Sequence, residues 1–303
     1  METDLYREMV LIRTLEDELQ KLCLEGEAGD LHFSKGQEAI AVGACAALAP
    51  EDYIVAHHRT IAHAVAKGVP LYPLVAEILG KADGVCGGMA GEMHLQYPPA
   101  RFMFSFQLVG TCIPVAAGLA WAVKHHKKED AIVAVFHGDA TSSNGQWHEG
   151  MTLAAVQRLP LLIICENNGL AGNVTAPYYL PTRNVAERAK GYGVTSMRVD
   201  GNKVDAVYNA VHNGAAWVKS EQRPLFIEFM TTRLSWHKQG QRDVRTPEEI
   251  AKLARRDPIV QEAARLRLQE GEVKSISLTV LAEVAAVINK VRWAPDPVMP
   301  ALP

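Results

Sequence analysis

The chain has 303 residues, 48% of them hydrophobic, which is enough for one large α/β domain with a sizeable core. Its formal net charge is −3, and it has no basic patch interleaved with aromatic residues, which argues against a nucleic-acid-binding protein. No apolar run approaches the roughly 20 residues that a membrane-spanning helix needs, so we expect no membrane span.

The cysteines favour a reducing compartment. There are five of them, an odd number, and they are scattered without a Cys-x-x-Cys pair. Cysteines of this kind are usually reduced core residues. The charged, amphipathic N-terminus also lacks the pattern of a signal peptide. We therefore expect a cytoplasmic protein.

Hydrophobic periodicity predicts a long N-terminal helix over residues 1–25. Apolar residues recur there at steps of three and four: Leu5, Met9, Ile12, Leu15, Leu19 and Leu22. Packing onto the core is the expected role of this stripe, and contact with a partner chain is the alternative. An Ala-rich helix over residues 36–49 follows, and its small residues permit close packing against a neighbouring helix.

Polar residues follow the next apolar run. Residues 53–56 predict a strand, and His57, His58 and Arg59 come directly after it. The guanidinium group of arginine offers a planar fork of donors that suits a diphosphate. The alternative for the two histidines is that they are ordinary polar surface residues.

Residues 84–126 predict two loops and a helix. The first loop, residues 84–94, is rich in glycine, which allows unusual backbone angles. Phe102, Phe104 and Phe106 then alternate as in a strand, and core packing is the simplest explanation for them. Pro114 is suited to the start of the Ala-rich helix that follows.

Residues 131–170 predict a strand, a helix and a second strand. Both apolar runs, 131–136 and 161–165, are short and uninterrupted, as in strands that are covered on both faces. A crossover of this length makes the strands parallel, so their carboxyl ends lie on the same side of the sheet. Asp139 and Asn168 lie just past those two ends, where ligands bind in open α/β sheets.

The pair of residues predicts a magnesium site. One carboxylate and one amide oxygen suit this hard cation, which completes its shell with water and phosphate oxygens. Gly138 beside them lets a diphosphate approach the backbone closely. Taken singly, Asp139 would be a helix cap and Asn168 a turn residue. Their matching positions at the ends of consecutive strands favour the metal site.

The same stretch carries a resemblance to a known family. GDATSSNGQWHEGMTLAAVQRLPLLIICENNG contains the thiamine diphosphate motif, Gly-Asp-X followed at a distance by Asn-Asn. From about Gly36 to Asp257 the chain resembles the α subunits of 2-oxo acid dehydrogenases, in particular those of acetoin and pyruvate dehydrogenases. The resemblance implies thiamine diphosphate and Mg²⁺ as cofactors. Ala140 replaces a second glycine of many relatives, which should alter the turn without removing a ligand.

The resemblance also implies site residues. The metal ligands would be Asp139, Asn168 and the backbone carbonyl of Leu170. The catalytic residues would be His237, which matches a histidine that contacts the bound intermediate, and His63, for which a structural hydrogen bond is the alternative. A histidine can donate to a developing oxyanion near neutral pH. The implied cofactor-binding residues are His58, Arg59, Gln107, Val109, Gly138, Asp139, Ala140, Asn168, Leu170 and His237.

Several positions depart from the family pattern. Val109 does match the bulky residue that bends the cofactor into its reactive shape. Gln107, however, stands where relatives have Gly or Ser, and Ile61 stands where acetoin-type relatives have His. Glu92 replaces a serine, and we expect its carboxylate to point to solvent.

The stretch before residue 246 is expected to be a mobile loop at the site entrance. Ser235 and Trp236 replace residues among which relatives often have a second histidine, which predicts an altered substrate pocket. Lys238 follows His237 in place of the family's regulatory serine, so no phosphorylation switch is expected there.

The resemblance implies an enzyme subunit that does not act alone. It would decarboxylate a 2-oxo acid or cleave acetoin, and pass the acyl or aldehyde unit to a lipoyl group on an acyltransferase. The Glu that activates the cofactor would come from a β subunit, in an assembly of two α and two β chains. A carboligase or acyl-transferring subunit without a lipoyl partner is the alternative, and a non-catalytic scaffold is a third.

Helices alternating with apolar strands fit an α/β fold. We expect a doubly wound, mostly parallel sheet with helices on both faces, the diphosphate-binding half of the thiamine diphosphate fold. Residues 1–303 would form a single domain, with the N-terminal helix over 1–25 and a helical extension over about 247–303. A capping box, Thr246 to Glu249, begins this extension. Its apolar stripe is Leu278, Leu281, Val284, Ile288 and Val291.

Overall fold

A computed structural model describes residues 2–127, 130–182, 184–238, 240–241, 243 and 245–298. The helices are α1 (Glu2–Glu25), α2 (Glu38–Ala47), α3 (Ile61–Ala66), α4 (Leu71–Ile78), α5 (Cys112–Ala122), α6 (Gly145–Val156), α7 (Val185–Lys190), α8 (Val204–Glu221), α9 (Pro247–Ala254), α10 (Pro258–Arg265) and α11 (Glu270–Arg292). The strands are β1 (Tyr53–His57), β2 (Phe102–Phe106), β3 (Val133–Gly138), β4 (Leu161–Asn167), β5 (Leu170–Ala171), β6 (Val174–Thr175), β7 (Thr195–Asp200) and β8 (Leu225–Met230).

Six of the strands form one parallel sheet in the order β2-β1-β3-β4-β8-β7. The predicted strand at residues 161–165 is longer than expected, because β4 continues to Asn167. Chain order runs outward in opposite directions from β1 and β3, so the sheet reverses between these neighbours. A crevice opens at the carboxyl ends of the strands at such a point.

Helices cover both faces of the sheet. Along β4, Leu162 and Ile164 pack in one apolar cluster with α1, α2, α8 and α11. Leu161, Ile163 and Cys165 point the other way, into a second cluster with α5, α6 and α7. Every residue of β4 is buried, which explains its unbroken apolar run. The predicted α/β fold with a doubly wound parallel sheet is confirmed.

The N-terminal stripe packs onto the core. All six of its predicted residues are buried in α1, which lies against α11. The prediction for α11 was partly wrong, because Leu278 is 56% exposed and Leu281 is 40% exposed. The buried stripe of this helix is Val280, Val284, Ile288 and Val291. Within the described residues, no helix has the length and hydropathy needed to cross a bilayer.

Helix α2 approaches α8 closely through a glycine. A Cβ atom added to Gly43 would lie 2.8 Å from the carbonyl oxygen of Val204 and 2.9 Å from the side chain of Val207. Distances under 3 Å force one helix to move. The small residues predicted to permit close packing therefore do so at this position.

We expect Gly43→Ala to destabilise the fold by about 1–3 kcal/mol through overpacking. Gly118→Ala is the matched control, since Gly118 lies on an exposed face of α5 with no atom within 4 Å of an added Cβ. Alanine there should raise the free energy of unfolding by as much as about 1 kcal/mol, because alanine has a higher helix propensity than glycine. Urea unfolding measures both changes. Equal effects of the two substitutions would contradict the packing argument.

Candidate functional site

A cavity of about 360 Å³ lies at the carboxyl edge of the sheet, where the strand order reverses. Segments that follow β1, β2, β3, β4 and β8 all contribute to its lining. The predicted site residues that line it are His58, Arg59, Gln107, Val109, Gly138, Asp139, Ala140, Asn168, Leu170 and His237. His63 is not among the lining residues.

Asp139 is the first residue after β3 and is 1% exposed. The Tyr179 hydroxyl donates a hydrogen bond to its Oδ2. Burial raises the pKa of Asp139 to about 6, against the opposing effect of that hydrogen bond. A Cβ on the neighbouring Gly138 would meet no atom within 4 Å, so the backbone here faces open space in the cavity wall.

Asn168 is the first residue after β4 and its amide is fixed on both sides. Its Oδ1 accepts from the backbone N–H of Leu170 at 3.0 Å, and its Nδ2 donates to Oε1 of Gln37 at 2.7 Å. The preceding residue, Asn167, donates to the buried Glu228 at 2.6 Å. The end of β4 is thereby anchored to β8 and to the segment before α2.

The oxygen donors at this edge fit a magnesium ion. The carboxylate of Asp139 and the amide of Asn168 line one cavity with Leu170, and no thiolate or imidazole lies among these three. Magnesium takes one or two carboxylates and completes its octahedral shell with water and phosphate oxygens. The donor set therefore fits a Mg²⁺ ion whose remaining ligands are water and phosphate oxygens.

Two buried arginines give the cavity a positive charge. Arg59 and Arg233 are each 3% exposed, and neither guanidinium forms a salt bridge within the described part of the chain. Arg59 donates to the carbonyl oxygens of Phe33 and His237, and Arg233 to that of Gly172 at 2.7 Å. A buried cation without a carboxylate partner is costly, so this pair favours an anionic ligand.

Three histidines cluster beside these arginines. The ring centroids of His32 and His58 are 4.9 Å apart, those of His32 and His237 5.2 Å, and those of His58 and His237 5.8 Å. Burial, with the charge of Arg59, lowers the pKa of His32 and of His237 to about 4. Three neutral imidazoles could hold a transition metal, but the neighbouring Arg59 and Arg233 repel a cation. The cluster suits hydrogen bonding to an anion instead.

The expectation for Glu92 was wrong. Its carboxylate is buried and accepts from the backbone N–H of His32 at 2.9 and 3.0 Å. Burial raises the pKa of Glu92 to about 8. Ser34, two residues after His32, is held in the same way: its backbone N–H donates to the carboxylate of Glu16 in α1 at 2.8 and 2.9 Å. These two buried carboxylates hold the segment that brings His32 to the cavity.

His63 contributes to the site through Glu166. Its Nε2 lies 2.6 Å from Glu166 Oε1, and Nε2 of His57 lies 3.3 Å from Oε2 of the same carboxylate. The backbone N–H of Arg59 donates to Nδ1 of His57 at 3.2 Å, which leaves the His57 proton on Nε2. Burial alone would raise the pKa of Glu166, but His63 and His57 together lower it below its usual range.

The cavity is open on the side of the segment after β2. Leu108 is 67% exposed and Val109 is 42% exposed, both next to the lining residue Gln107. Gly110 adopts φ +98°, and a Cβ there would lie 2.6 Å from Oδ1 of Asn144. That Asn144 oxygen caps α6, so the glycine fixes this exposed apolar segment against the loop that follows Asp139.

Sequence reasoning missed five residues at the site: His32, Gln37, Glu166, Tyr179 and Arg233. Glu166 and Arg233 had a usable signal, because Glu166 lies two residues before Asn168 and Arg233 follows the end of β8 by three residues. The other three come from segments distant in sequence and had none. The loop before α9 includes Gln239, Arg242 and Val244, which lie outside the described residues, so its predicted mobility stays a prediction.

The sequence of this chain matches a known protein family. A family model described as the dehydrogenase E1 component matches residues 6–299. The chain belongs to the dehydrogenase E1 component family. The recognition made from the motif is thereby confirmed, and so is the prediction of an enzyme of the thiamine diphosphate-dependent dehydrogenase type.

Three relatives of this chain are α subunits. It is 35% identical to the α subunit of acetoin:2,6-dichlorophenolindophenol oxidoreductase of Bacillus subtilis, over 78% of this chain and 71% of the relative. It is 32% identical to the 2-oxoisovalerate dehydrogenase α subunit of the same organism, over 95% and 88%. It is 31% identical to the pyruvate dehydrogenase E1 component α subunit of Porphyra purpurea, over 84% and 76%. An α subunit of this family implies a β subunit as partner.

We expect Glu166→Gln to lower the free energy of unfolding by about 1–3 kcal/mol. An amide oxygen can accept from one buried histidine, but the amide presents its N–H groups to the other. Glu149→Gln is the control, since Glu149 is exposed on α6, and it should change stability by no more than about 0.5 kcal/mol. Chemical denaturation would show the difference. A Glu166 variant as stable as wild type would remove the proposed bridging role.

Proposed function

We propose that this chain is the α subunit of an enzyme that decarboxylates a 2-oxo acid or cleaves acetoin, with thiamine diphosphate and Mg²⁺ held at the carboxyl edge of the sheet. One observation carries the proposal. The oxygen donors that follow β3 and β4 and the basic residues that follow β1 and β8 line a single cavity where the strand order reverses. When bound, the cofactor supplies a carbon nucleophile and a sink for the electrons that decarboxylation leaves.

Asp139, Asn168 and the carbonyl oxygen of Leu170 would hold the metal. A carboxylate, an amide and a backbone carbonyl leave coordination positions for water and for diphosphate oxygens. Gly138 and Ala140 would leave space for the diphosphate beside the backbone, since neither has a side chain beyond Cβ.

The basic side of the cavity would hold the rest of the diphosphate. Arg59 has a guanidinium group without a carboxylate partner in the described residues, and His58 lies next to it on the same wall. Guanidinium pairs with phosphate oxygens through two parallel hydrogen bonds. His237 lies beside this wall, with its ring centroid 5.8 Å from that of His58, and would bind the cofactor on the substrate side.

The exposed segment after β2 would face the pyrimidine half of the cofactor and a second protein chain. Gln107 and Val109 would contact the ring, with Val109 supporting the bent conformation. Leu108 leaves two thirds of its surface exposed at the cavity mouth, as expected of a residue that a partner covers. We propose a β subunit there, which contributes the activating Glu, in an assembly of two α and two β chains.

His237 would donate a hydrogen bond to the oxygen on which negative charge develops during turnover. It lines the cavity with His32, and both imidazoles are neutral near pH 7 because burial lowers their pKa. A neutral imidazole still carries one N–H donor. His63, predicted as catalytic, lies behind the wall, and we propose that it acts by orienting Glu166.

The acyl or aldehyde unit would pass to a lipoyl group on an acyltransferase. The names of the relatives are those of dehydrogenases and of an oxidoreductase, which support this route over a carboligase without a lipoyl partner. Five free cysteines agree with a cytoplasmic enzyme. Reductive acylation of a lipoyl domain by the chain with its β partner tests the route, and the absence of acylation would contradict it.

We expect Asp139→Ala to abolish Mg²⁺-dependent binding of thiamine diphosphate, because it removes the charged ligand of the cation. Calorimetric titration of cofactor at saturating Mg²⁺ measures this. Asp296→Ala is the control, since that side chain is 81% exposed and pairs with Lys81 at the surface. Full retention of binding by the Asp139 variant would remove the metal assignment.

We expect His237→Ala to lower kcat by about 10²-fold or more, as loss of a general acid or donor does, while cofactor affinity changes much less. Steady-state kinetics with an artificial electron acceptor, together with cofactor titration, separates the two effects. His212→Ala, on the exposed face of α8, should leave both unchanged. Loss of affinity with kcat retained would contradict the role given to His237.

A further inference from the structure

Each of the two side chains that would coordinate Mg²⁺ is held by a hydrogen bond from another segment. The Tyr179 hydroxyl donates to Oδ2 of Asp139, and Oε1 of Gln37 accepts from Nδ2 of Asn168 at 2.7 Å. We propose that Tyr179 and Gln37 are positioning residues of the cation site, which set the orientation of these two ligands before the metal binds. The inference rests on the proposed function, since it concerns the same cation.

Tyr179 is held in place from both sides. Its carbonyl oxygen accepts from the Ser143 hydroxyl at 2.6 Å, and its backbone N–H donates to Ala176 at 3.1 Å. Ser143 follows Asp139 by four residues, so the tyrosine links the loop after β6 to the segment that carries the carboxylate. The hydroxyl occupies one carboxylate oxygen, which favours coordination of the cation through the other. Magnesium requires near-ideal octahedral geometry, so a carboxylate held in one orientation suits it.

Gln37 decides which end of the Asn168 amide faces the ligand. It is 3% exposed at the start of α2, and its backbone N–H donates to Ser34 at 2.7 Å. With Nδ2 bonded to Gln37, Oδ1 faces the backbone N–H of Leu170 and keeps a second lone pair. A flipped amide would lose both hydrogen bonds and would present an N–H group to a cation.

Hydrogen-bond partners of the coordinating side chains increase metal affinity, because a side chain that is free to rotate loses entropy when it coordinates the metal. Removal of such partners costs about 10–100-fold in metal affinity in other metal sites. Tyr179→Phe removes only the hydroxyl, and Gln37→Met removes the acceptor at similar volume. We expect each to weaken binding of Mn²⁺, as a spectroscopic probe in the presence of thiamine diphosphate, by about 10-fold or more.

Two controls match these changes. Tyr178→Phe deletes the hydroxyl of the neighbouring tyrosine, which is 85% exposed, and should leave Mn²⁺ affinity unchanged. Gln37→Glu keeps an oxygen acceptor for the Asn168 amide and should bind Mn²⁺ within about threefold of wild type, well short of the loss expected for Gln37→Met. The full chain, alone and with its β partner, is titrated with Mn²⁺ while the free ion is followed by electron paramagnetic resonance. Melting without ligand checks that each variant is folded at the titration temperature, because each substitution also removes one hydrogen bond from a buried group.

The outcomes are distinct. Weaker Mn²⁺ binding by Tyr179→Phe and Gln37→Met, with both variants folded at the titration temperature and both controls near wild type, supports the inference. Wild-type affinity in these two variants, or equal loss in Gln37→Met and Gln37→Glu, overturns it and leaves the proposed function intact. If the wild-type chain binds no thiamine diphosphate with Mn²⁺ under either condition, the proposed function fails, and the inference fails with it.

Discussion

The site depends on the common direction of the six parallel strands. Because every strand of the sheet points the same way, the residue that follows each strand lies at the same edge. The chain leaves β1 toward β2 on one side and passes from β3 to β4 on the other, which opens a crevice between β1 and β3. Asp139, Asn168 and Arg59 each follow a strand that borders or neighbours this crevice, so residues far apart in sequence share one cavity.

The cavity contains charged groups of both signs. Arg59 and Arg233 supply positive charge that no described carboxylate neutralises through a salt bridge. Asp139 supplies negative charge in the same cavity, between Gly138 and Ala140. A magnesium diphosphate has both signs of charge, and it would neutralise the arginines and the aspartate together. Burial of unpaired charge is costly, and such a ligand offsets that cost.

Buried carboxylates also position the protein's own backbone. Glu92 and Glu16 hold the N–H groups of His32 and Ser34, and Glu166 bridges His57 and His63 behind the cavity wall. None of these carboxylates is a predicted ligand. They fix His32 and His57, which line the cavity, and His63 behind it, and this requires the desolvation of three acidic groups. Such support is usual where a binding site needs rigid side chains.

The sequence by itself determined the fold class and the family, and it predicted that Asp139 and Asn168 lie at the carboxyl edge of the sheet, because strand periodicity and the motif around these residues are local signals. It also predicted the buried stripe of α1. The tertiary structure alone decided the inward orientation of Glu92, the place of His63 behind the cavity, and the presence of His32, Gln37 and Tyr179 at the site. These depend on contacts between segments separated by tens of residues, as in the Gln37–Asn168 hydrogen bond across 131 positions. The local sequence pattern does not predict such contacts, because the hydrogen-bond partner of a side chain depends on which distant segment the fold places beside it.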